Sequence, residues 1–232
     1  MARRSGSRTR LRIFGALLLL VLLGGIWLWW HLQHWLPPSE EYPVQGVEIG
    51  VQDGAVNWKS LKAIGAEFAY IDASASAFAR DPRFVENFEK ARKAGLPVGA
   101  VHRYDPCQPA DKQAANFVTI VPRDASLLPP AVELDMLAND CPVNVPDAAV
   151  ESELTTFLNQ VETHTGMPAL LKLSSSFESR YGIAARIDRN LWLVRNRLEP
   201  DYGGRPWTMW TANSSFANEV ADGGLRWVVV ER

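Results

Sequence analysis

One stretch of the chain, LLPPAVELDM at residues 127–136, carries two carboxylates two residues apart. It reads as a buried strand that follows two prolines, so Glu133 and Asp135 are predicted to point to the same face. Like charges directed into one place lose hydration, and each shifts its pKa or finds a partner. Such a pair is a candidate for acid and base chemistry. A strand end whose acids reach solvent or pair with arginine would give the same pattern.

The elements around this stretch alternate between short apolar runs and helical patterns. This alternation predicts parallel strands joined by right-handed crossovers. Eight strands, with helices after the first five, indicate an α/β barrel rather than an open sheet. The predicted strands are 44–51, 67–73, 96–101, 131–136, 169–173, 190–194, 208–211 and 227–231, and the predicted helices include 58–64, 81–94, 109–121 and 146–165.

In such a barrel, the carboxyl ends of the strands form the mouth where chemistry takes place. Four successive predicted strands bring polar residues to this end. Each residue alone is more often solvated or hydrogen-bonded than catalytic, so their convergence is the functional indication. The candidates are Glu48, Asp72, His102, Glu133 and Asp135.

Other chemistries lack their sequence patterns. The chain has no phosphate-binding glycine loop, no Gly-x-Ser-x-Gly and no metal-ligand spacing of cysteine and histidine. Neither a metal nor a cofactor is therefore predicted. The serine run at 174–176 is interpreted as a polar loop.

The N-terminal segment has the character of a membrane element. Ile13 to Trp30 contains no charge and ends in a cluster of tryptophans, as at a membrane interface. Five arginines precede it, at positions 3, 4, 8, 10 and 12, which predicts a cytoplasmic N-terminus. We expect a basic tail at 1–12, a transmembrane signal anchor at 13–36, a linker at 37–43 and an exported domain at 44–232. A cleaved signal peptide is the main alternative, although no small-x-small site directly follows the apolar run.

Charge argues against one class of partner. Five of the 24 basic residues lie in the first 36 residues, which hold no acid, so the rest carries 19 basic against 26 acidic residues. A nucleic-acid-binding surface requires a basic face. No nucleic-acid partner is therefore expected.

Two cysteines, Cys107 and Cys141, follow the third and fourth predicted strands by a few residues each. Neighbouring strands would bring these loops together, and an exported location permits oxidation. We predict a disulfide between them at the rim of the mouth. Two free thiols are the alternative.

Motifs spread from Gly46 to the C-terminus match one known family in order and spacing. They are GVEI at 46–49, NW at 57–58, FAYI at 68–71, DPRF at 81–84, AGLPVGA at 94–100 with His102, LPPAVELD at 128–135, LWL at 191–193 and WTMW at 207–210. The series resembles the family 25 glycoside hydrolases, the Chalaropsis-type lysozymes. The resemblance implies a flattened TIM-like (β/α)5(β)3 barrel, here preceded by one transmembrane helix. The two cysteines also resemble a pair seen in proteobacterial members.

The departures from the family pattern fall on the catalytic positions. The family's first-strand Asp is Glu48, its fourth-strand Asp is Glu133 and its catalytic Glu is Asp135, so the Asp-x-Glu pair is reversed. All three remain carboxylates. Among the other departures, Gly50 replaces a Ser, DASA at 72–75 replaces Lys-Ala-Thr-Glu, Val101 replaces an aromatic residue, Thr211 replaces a Gln, and the last strand's Asp falls near Trp227, with Glu231 close by.

The resemblance implies a lysozyme that cleaves the β-1,4 bond between N-acetylmuramic acid and N-acetylglucosamine in peptidoglycan. Asp135 would be the acid and Glu133 the stabiliser or base, with Glu48 beside them. Asp72, His102, Tyr104 and Trp210 would bind the glycan strand. The expected location is the bacterial inner membrane, with the C-terminal domain in the periplasm. The alternative is a weak or inactive pseudoenzyme that binds peptidoglycan or a partner in the cell envelope.

Overall fold

A computed structural model describes residues 5–231 of the chain. An N-terminal helical unit ends at Trp35, and a separate compact unit begins at Leu36. Helix α1 (Ser5–Gln33) forms the first unit, and its Arg12–Gln33 portion is long and apolar enough to cross a membrane. Membrane anchors and signal sequences share this length and composition. Arg3 and Arg4 of the predicted basic tail lie outside the described residues.

The compact unit is built on a closed eight-stranded barrel. Pairing between β1 and β2 closes the ring, and β9 alone runs antiparallel to its neighbours β1 and β8 in the barrel. A ninth short strand, β3, forms a hairpin with β2 outside the ring. The strands are β1 (Gln45–Ile49), β2 (Phe68–Ala75), β3 (Ala79–Arg80), β4 (Val98–Arg103), β5 (Ala131–Leu134), β6 (Leu170–Leu173), β7 (Leu191–Val194), β8 (Met209–Phe216) and β9 (Leu225–Val230).

Helices follow each of the first five barrel strands, and none follows β7 or β8 among the described residues. This order confirms the predicted (β/α)5(β)3 barrel. The helices are α2 (Trp58–Ala63), α3 (Phe84–Lys93), α4 (Ala110–Ile120), α5 (Asp147–Thr165), α6 (Ser175–Tyr181) and α7 (Ile183–Arg186).

One layer of apolar side chains fills the barrel interior. Glycines at inward positions make room for the largest rings, because a Cβ at Gly46 would overlap Phe68 and one at Gly99 would overlap Tyr70. The Tyr70 ring meets the Trp192 ring edge-on, with centroids 5.0 Å apart. The layer consists of Phe68, Tyr70, Val101, Ala131, Leu170, Trp192, Met209 and Val228.

The serine run at 174–176 was wrongly interpreted as a loop. Ser174 instead begins helix α6, because its hydroxyl accepts a hydrogen bond from the Phe177 amide at 3.2 Å. Serine is favoured both in loops and at helix N-caps, so the run alone does not distinguish the two.

The stretch at 37–43, predicted to be a linker, lies within the compact unit. Tyr42 is buried against Trp207 and Trp210, with ring centroids 6.3 and 5.7 Å away. The side-chain amide of Gln45 donates to the carbonyls of Pro37 and Tyr42. These contacts attach the stretch to the barrel.

The predicted disulfide between Cys107 and Cys141 is present. Cys107 follows β4 and Cys141 follows β5, so the bond joins two loops at the mouth of the barrel. The two cysteines are 34 residues apart in sequence. Closing a loop of this length restricts the unfolded chain.

Replacing both cysteines by serine should lower the free energy of unfolding by about 3–4 kcal/mol, the chain-entropy value for such a loop. Urea unfolding of the full chain in detergent, followed by tryptophan fluorescence, would measure the change. Reduced wild type is the matched control and should unfold at the same urea concentration as the double variant. Equal stability of oxidised wild type and the double variant would contradict the prediction.

Candidate active site

A ring of charged side chains lies directly above the apolar layer, towards the carboxyl ends of the parallel strands. Successive side chains on a strand alternate between faces, so residues two positions beyond the apolar layer also face inward. Strand β9 runs in the opposite direction, so its equivalent position lies two residues before Val228. Arg226 occupies this position and pairs in register with Glu48 of β1. We call this set the charged layer: Glu48, Asp72, Arg103, Glu133, Lys172 and Arg226.

Lys172 lies at the centre of the charged layer. Its side chain is only 3% exposed, and its Nζ donates to Glu48 Oε1 at 2.6 Å and to Glu133 Oε1 at 2.8 Å. The ammonium also lies 5.3 Å from the centroid of the Trp192 ring, a cation–π distance. Burial alone would lower the pKa of Lys172, but the two carboxylates outweigh it and raise the pKa above its ordinary value.

Glu133 is held by two cations. Its second oxygen, Oε2, accepts from Arg103 Nε at 2.8 Å, while Oε1 accepts from Lys172. Burial acts to raise the pKa of Glu133, yet Lys172 and Arg103 lower it to about 2. The carboxyl is therefore ionised at neutral pH.

Glu48 is fully buried and less well compensated. One oxygen accepts from Lys172, and Arg226 Nε lies 3.6 Å from the same oxygen. Its other oxygen, Oε2, has no hydrogen-bond partner among residues 5–231. Burial raises the pKa of Glu48, against the lowering effects of Arg226 and Lys172.

Arg226 lies beside Glu48 and forms ion pairs with two further acids. Its Nη2 lies 3.1 Å from Asp72 Oδ2 and 3.5 Å from Asp53 Oδ2. The side-chain amide oxygen of Gln52, oriented towards the guanidinium, accepts from both Nη atoms. Burial acts to lower the pKa of Arg226, but Glu48, Asp72 and Asp53 outweigh it and raise the pKa.

Gly50 and Asp72 are in close contact at the mouth. A Cβ at Gly50 would overlap the Asp72 carboxylate. This contact gives a physical reason why glycine stands where the family typically has serine. The Gly50 amide donates to Asp53 Oδ2 at 2.6 Å, which fixes the turn that follows β1.

A pocket of about 160 Å³ opens beside Glu133. Its floor includes Val101 of the apolar layer, and its walls combine carboxylates with two arginines. The hairpin of β2 and β3 forms one side. The lining residues are Val51, Gln52, Asp72, Ser74, Ala75, Ala79, Arg80, Asp81, Pro82, Val101, Arg103 and Glu133.

Asp135 lies one residue beyond the end of β5 and is exposed. It forms no hydrogen bond or ion pair with any residue in the described range 5–231. Asp135 and Glu133 therefore share an edge of the barrel but have different surroundings.

Three predicted binding residues are not part of the charged layer. His102 alternates with the inward Val101 and Arg103, so it faces the helices, where it stacks on Phe157 at 4.6 Å. Its Nδ1 lies 2.8 Å from Ser74 Oγ and its Nε2 lies 3.3 Å from Gln113 Oε1, and burial lowers its pKa to about 4. Tyr104 packs edge-on against the same phenylalanine.

Trp210 is also separate from the mouth. It lies next to the inward Met209 and is buried against Tyr42 and Trp207. Its indole Nε1 donates to the Arg195 carbonyl at 2.7 Å. Of the four predicted binding residues, only Asp72 lines the pocket.

Sequence reasoning missed Lys172, Arg103 and Arg226. A usable signal was present, since each stands two positions from an apolar residue of the barrel interior. However, parallel strands are buried on both faces, so hydrophobicity does not show which residue faces inward. On β4, Val98 to His102 are all buried, so the sequence does not show that Arg103 rather than His102 faces the barrel interior.

The sequence profile described as "Glycosyl hydrolases family 25" matches residues 47–218. The chain belongs to this family. It is therefore a glycoside hydrolase by descent, and family 25 is the group that its motifs resemble. The match includes the charged-layer positions on β1 through β6 and ends before β9.

Solved structures share the fold. A family 25 glycosyl hydrolase from Bacillus anthracis superposes with a TM-score of 0.77 at 23% identity, covering 85% of this chain and 92% of that chain. A bacterial lysozyme from Streptomyces coelicolor gives a TM-score of 0.72 at 22% identity, covering 81% and 91% of the two chains.

Two curated relatives match parts of the sequence. Lysozyme M1 of Streptomyces globisporus is 38% identical over 65 residues, which are 28% of this chain and 22% of that protein. Protein YegX of Escherichia coli K12, described as uncharacterized, is 22% identical over 176 residues, covering 73% of this chain and 62% of YegX. The chain thus matches less than two thirds of the length of either relative.

The register of β9 shows which of its charged residues lies at the mouth. Arg226 pairs with Glu48 at the mouth, whereas Glu231 follows the opposite end of β9, where its amide donates to the Thr208 carbonyl. A cation therefore occupies the mouth end of the last strand. Glu231 does not replace the missing acid.

Replacing Glu133 by Gln should lower the free energy of unfolding by about 3 kcal/mol at pH 6, because it leaves Lys172 and Arg103 without this partner. The folded-state pKa of Glu133 lies below its ordinary value, so its contribution is present above about pH 4.5 and is lost as pH falls towards 2. The difference between wild type and the variant should therefore shrink over this range. Urea unfolding from pH 6 to pH 2.5 would measure it.

Glu86 provides a matched control for this experiment, since it forms an exposed ion pair with Lys90 on α3. Replacing Glu86 by Gln should change stability little at any pH. A Glu133→Gln difference that stays constant down to pH 2.5 would contradict the proposed ion pairing.

Proposed function

We propose that the protein is a membrane-tethered muramidase that cleaves the bond between N-acetylmuramic acid and N-acetylglucosamine in peptidoglycan. In this proposal Asp135 donates the proton to the leaving oxygen, and ionised Glu133 stabilises the oxocarbenium-like centre. The observation that carries it is the contrast between the two carboxyls. One is fixed as an anion inside the mouth, and the other is exposed at its edge.

Glycoside hydrolysis requires a carboxylic acid and a carboxylate with different protonation states. Lys172 and Arg103 keep Glu133 ionised at the pH of any bacterial compartment. Asp135 has no cation paired with it among residues 5–231 and is exposed at the edge of the mouth, where a leaving oxygen could approach it. The different surroundings of Glu133 and Asp135 thus support different roles for the two carboxyls.

The reversed order of the pair supports the same assignment. An Asp in place of a Glu shortens the acid by one methylene, about 1.5 Å, while the Glu at 133 lengthens the other carboxylate by the same amount. The total reach of the pair is unchanged. A sugar ring bound deeper on the Asp135 side would restore both contacts.

The residues that line the mouth also favour a glycan as the substrate. The 160 Å³ pocket beside Glu133 offers carboxylates and arginines for sugar hydroxyl and carboxylate groups. Proteins of similar sequence or fold include a lysozyme from Streptomyces globisporus and one from Streptomyces coelicolor. We infer that peptidoglycan strands are the substrate.

A second candidate function follows from one specific observation. Lys172 bonds both Glu48 and Glu133, and Arg103 bonds Glu133 as well. Internal cations thus neutralise the carboxylates that would stabilise a positively charged transition state. A pseudoenzyme that binds peptidoglycan, or another partner in the cell envelope, through the same mouth would have this arrangement.

Digestion of purified peptidoglycan by the full chain in detergent micelles distinguishes the two functions. Muramidase activity should release fragments whose reducing end, after borohydride reduction, is the alcohol of muramic acid. Asp135→Asn and Glu133→Gln should each lower the rate at least about 100-fold, the lower range for loss of an acid–base group. Asp124→Asn is the matched control, because Asp124 lies in the exposed loop before β5, at the opposite end of the barrel.

No release of fragments, together with co-sedimentation of the protein with peptidoglycan, would support the pseudoenzyme. Fragments with a reducing N-acetylglucosamine end would contradict the proposed bond. Full activity of Asp135→Asn would remove Asp135 from the mechanism.

We infer that α1 is an uncleaved anchor in the bacterial inner membrane, with its arginine-rich end in the cytoplasm and the barrel in the periplasm. The length and composition of Arg12–Gln33 support this, and so does the absence of a small-x-small site after it. The disulfide supports an oxidising compartment for the barrel.

The anchor predicts a specific fractionation result. The full-length chain should remain in the membrane pellet after carbonate extraction, and protease added to spheroplasts should digest the barrel. A version that begins at Leu36 behind a cleavable signal is the control and should be soluble. Recovery of wild type as a shortened soluble protein would show cleavage instead.

A further inference from the structure

Lys172 connects opposite walls of the barrel. It belongs to β6, and Glu48 belongs to β1, four strands away in either direction around the ring. Its Nζ lies 2.6 Å from Glu48 Oε1 and 2.8 Å from Glu133 Oε1 on the adjacent strand β5. The ammonium therefore fixes Glu133 to a fully buried acid on the far side.

Three groups surround the ammonium. It donates to the two carboxylates, and Nζ lies 5.3 Å from the centroid of the Trp192 ring. The indole of Trp192 is itself fixed, because its Nε1 donates to Thr211 Oγ1 at 2.8 Å. A buried cation surrounded by these groups has little freedom to leave its position.

Glu133 is fixed at both oxygens as a result. Lys172 bonds Oε1 from inside the barrel, and Arg103, which is half exposed, bonds Oε2 from the rim. The side chain of Arg103 is 56% exposed at the mouth, whereas that of Lys172 is 3% exposed. Lys172 is thus the better shielded of the two cations that bind Glu133.

We propose that Lys172 is a positioning residue that assigns the roles within the reversed acid pair. It holds Glu133 as the carboxylate and leaves Asp135 as the proton donor. The role in catalysis rests on the proposed muramidase function, whereas the effect on Glu133 does not. Lys172 acts through Glu133 and does not touch the substrate.

The charged groups around Glu133 come from six of the eight barrel strands. Positive groups come from β4, β6 and β9, and negative groups from β1, β2 and the end of β5. Arg226 and Asp72 act on Glu133 from across the mouth and are paired with each other. These groups are Glu48, Asp72, Arg103, Asp135, Lys172 and Arg226.

Replacing Lys172 by Met removes the charge and keeps a similar length. Titration of the Glu133 side-chain carboxyl by ¹³C NMR, in the full chain with Glu133→Gln used to assign the signal, should show a midpoint at least one pH unit higher in Lys172→Met. The acidic limb of kcat/KM on peptidoglycan should move to higher pH by a similar amount. The loss of activity in Lys172→Met should come from a lower kcat more than from a change in KM.

Four further variants keep the test decisive. Glu48→Gln/Lys172→Met removes both buried charges, so it should fold even if Lys172→Met does not, and it should show the same shift. Glu48→Gln alone and Lys172→Arg retain the cation beside Glu133 and should leave its midpoint within half a unit of wild type. Arg189→Met, which breaks a remote ion pair with Glu162 before β7, should lower stability without moving any titration.

A Glu133 midpoint in Lys172→Met and in Glu48→Gln/Lys172→Met equal to that of wild type would overturn the proposal. A decrease in rate at all pH values with no movement of the acidic limb would show a purely structural role. If wild type releases no fragments but the Glu133 midpoint moves, the muramidase function fails while the control of Glu133 by Lys172 stands.

Discussion

The mouth of this barrel depends on one ammonium group placed between two carboxylates. Lys172 is buried, so its charge depends on the carboxylates of Glu48 and Glu133 that accept from it. Glu48 depends on the same contact, because its Oε2 has no hydrogen-bond partner among the described residues and Arg226 lies 3.6 Å from the Oε1 that accepts from Lys172. Loss of Lys172 leaves two carboxylates inside the barrel without the cation that they share.

Two layers with opposite character are stacked inside the barrel. Rings and aliphatic side chains fill the lower layer, and ionised groups from six of the eight strands form the upper one, two residues further along each of these strands. The apolar floor excludes water from below and strengthens the electrostatic interactions above it. Charge pairing and orientation at the mouth therefore follow from the packing beneath.

The sequence was informative about the fold because its signals are local. Helical spacing in residues such as Phe84 and Phe88, and apolar runs such as Leu191 to Val194, are set by neighbours a few positions away. The alternation of these elements then leaves few topologies. The family motifs independently pointed to the same barrel.

The site was less predictable because it depends on which face each residue occupies. Glu48, Glu133 and Asp72 could be chosen because carboxylates in apolar strands are conspicuous. His102 and Arg103 are adjacent, and only the register of β4 against β2 and β5 shows which one faces inward. The partnership of Lys172 with Glu48 joins residues 124 positions apart across the barrel, and no local pattern encodes it.

Gly50 and Asp72 illustrate how neighbouring departures from a family pattern become linked. The carboxylate of Asp72 occupies the space that a side chain at position 50 would need. The side-chain amide of Gln52 occupies part of the same space. A mutation from glycine to serine at position 50 therefore requires both side chains to move. Evolution back towards the common family sequence would have to change the neighbours of position 50 together with it.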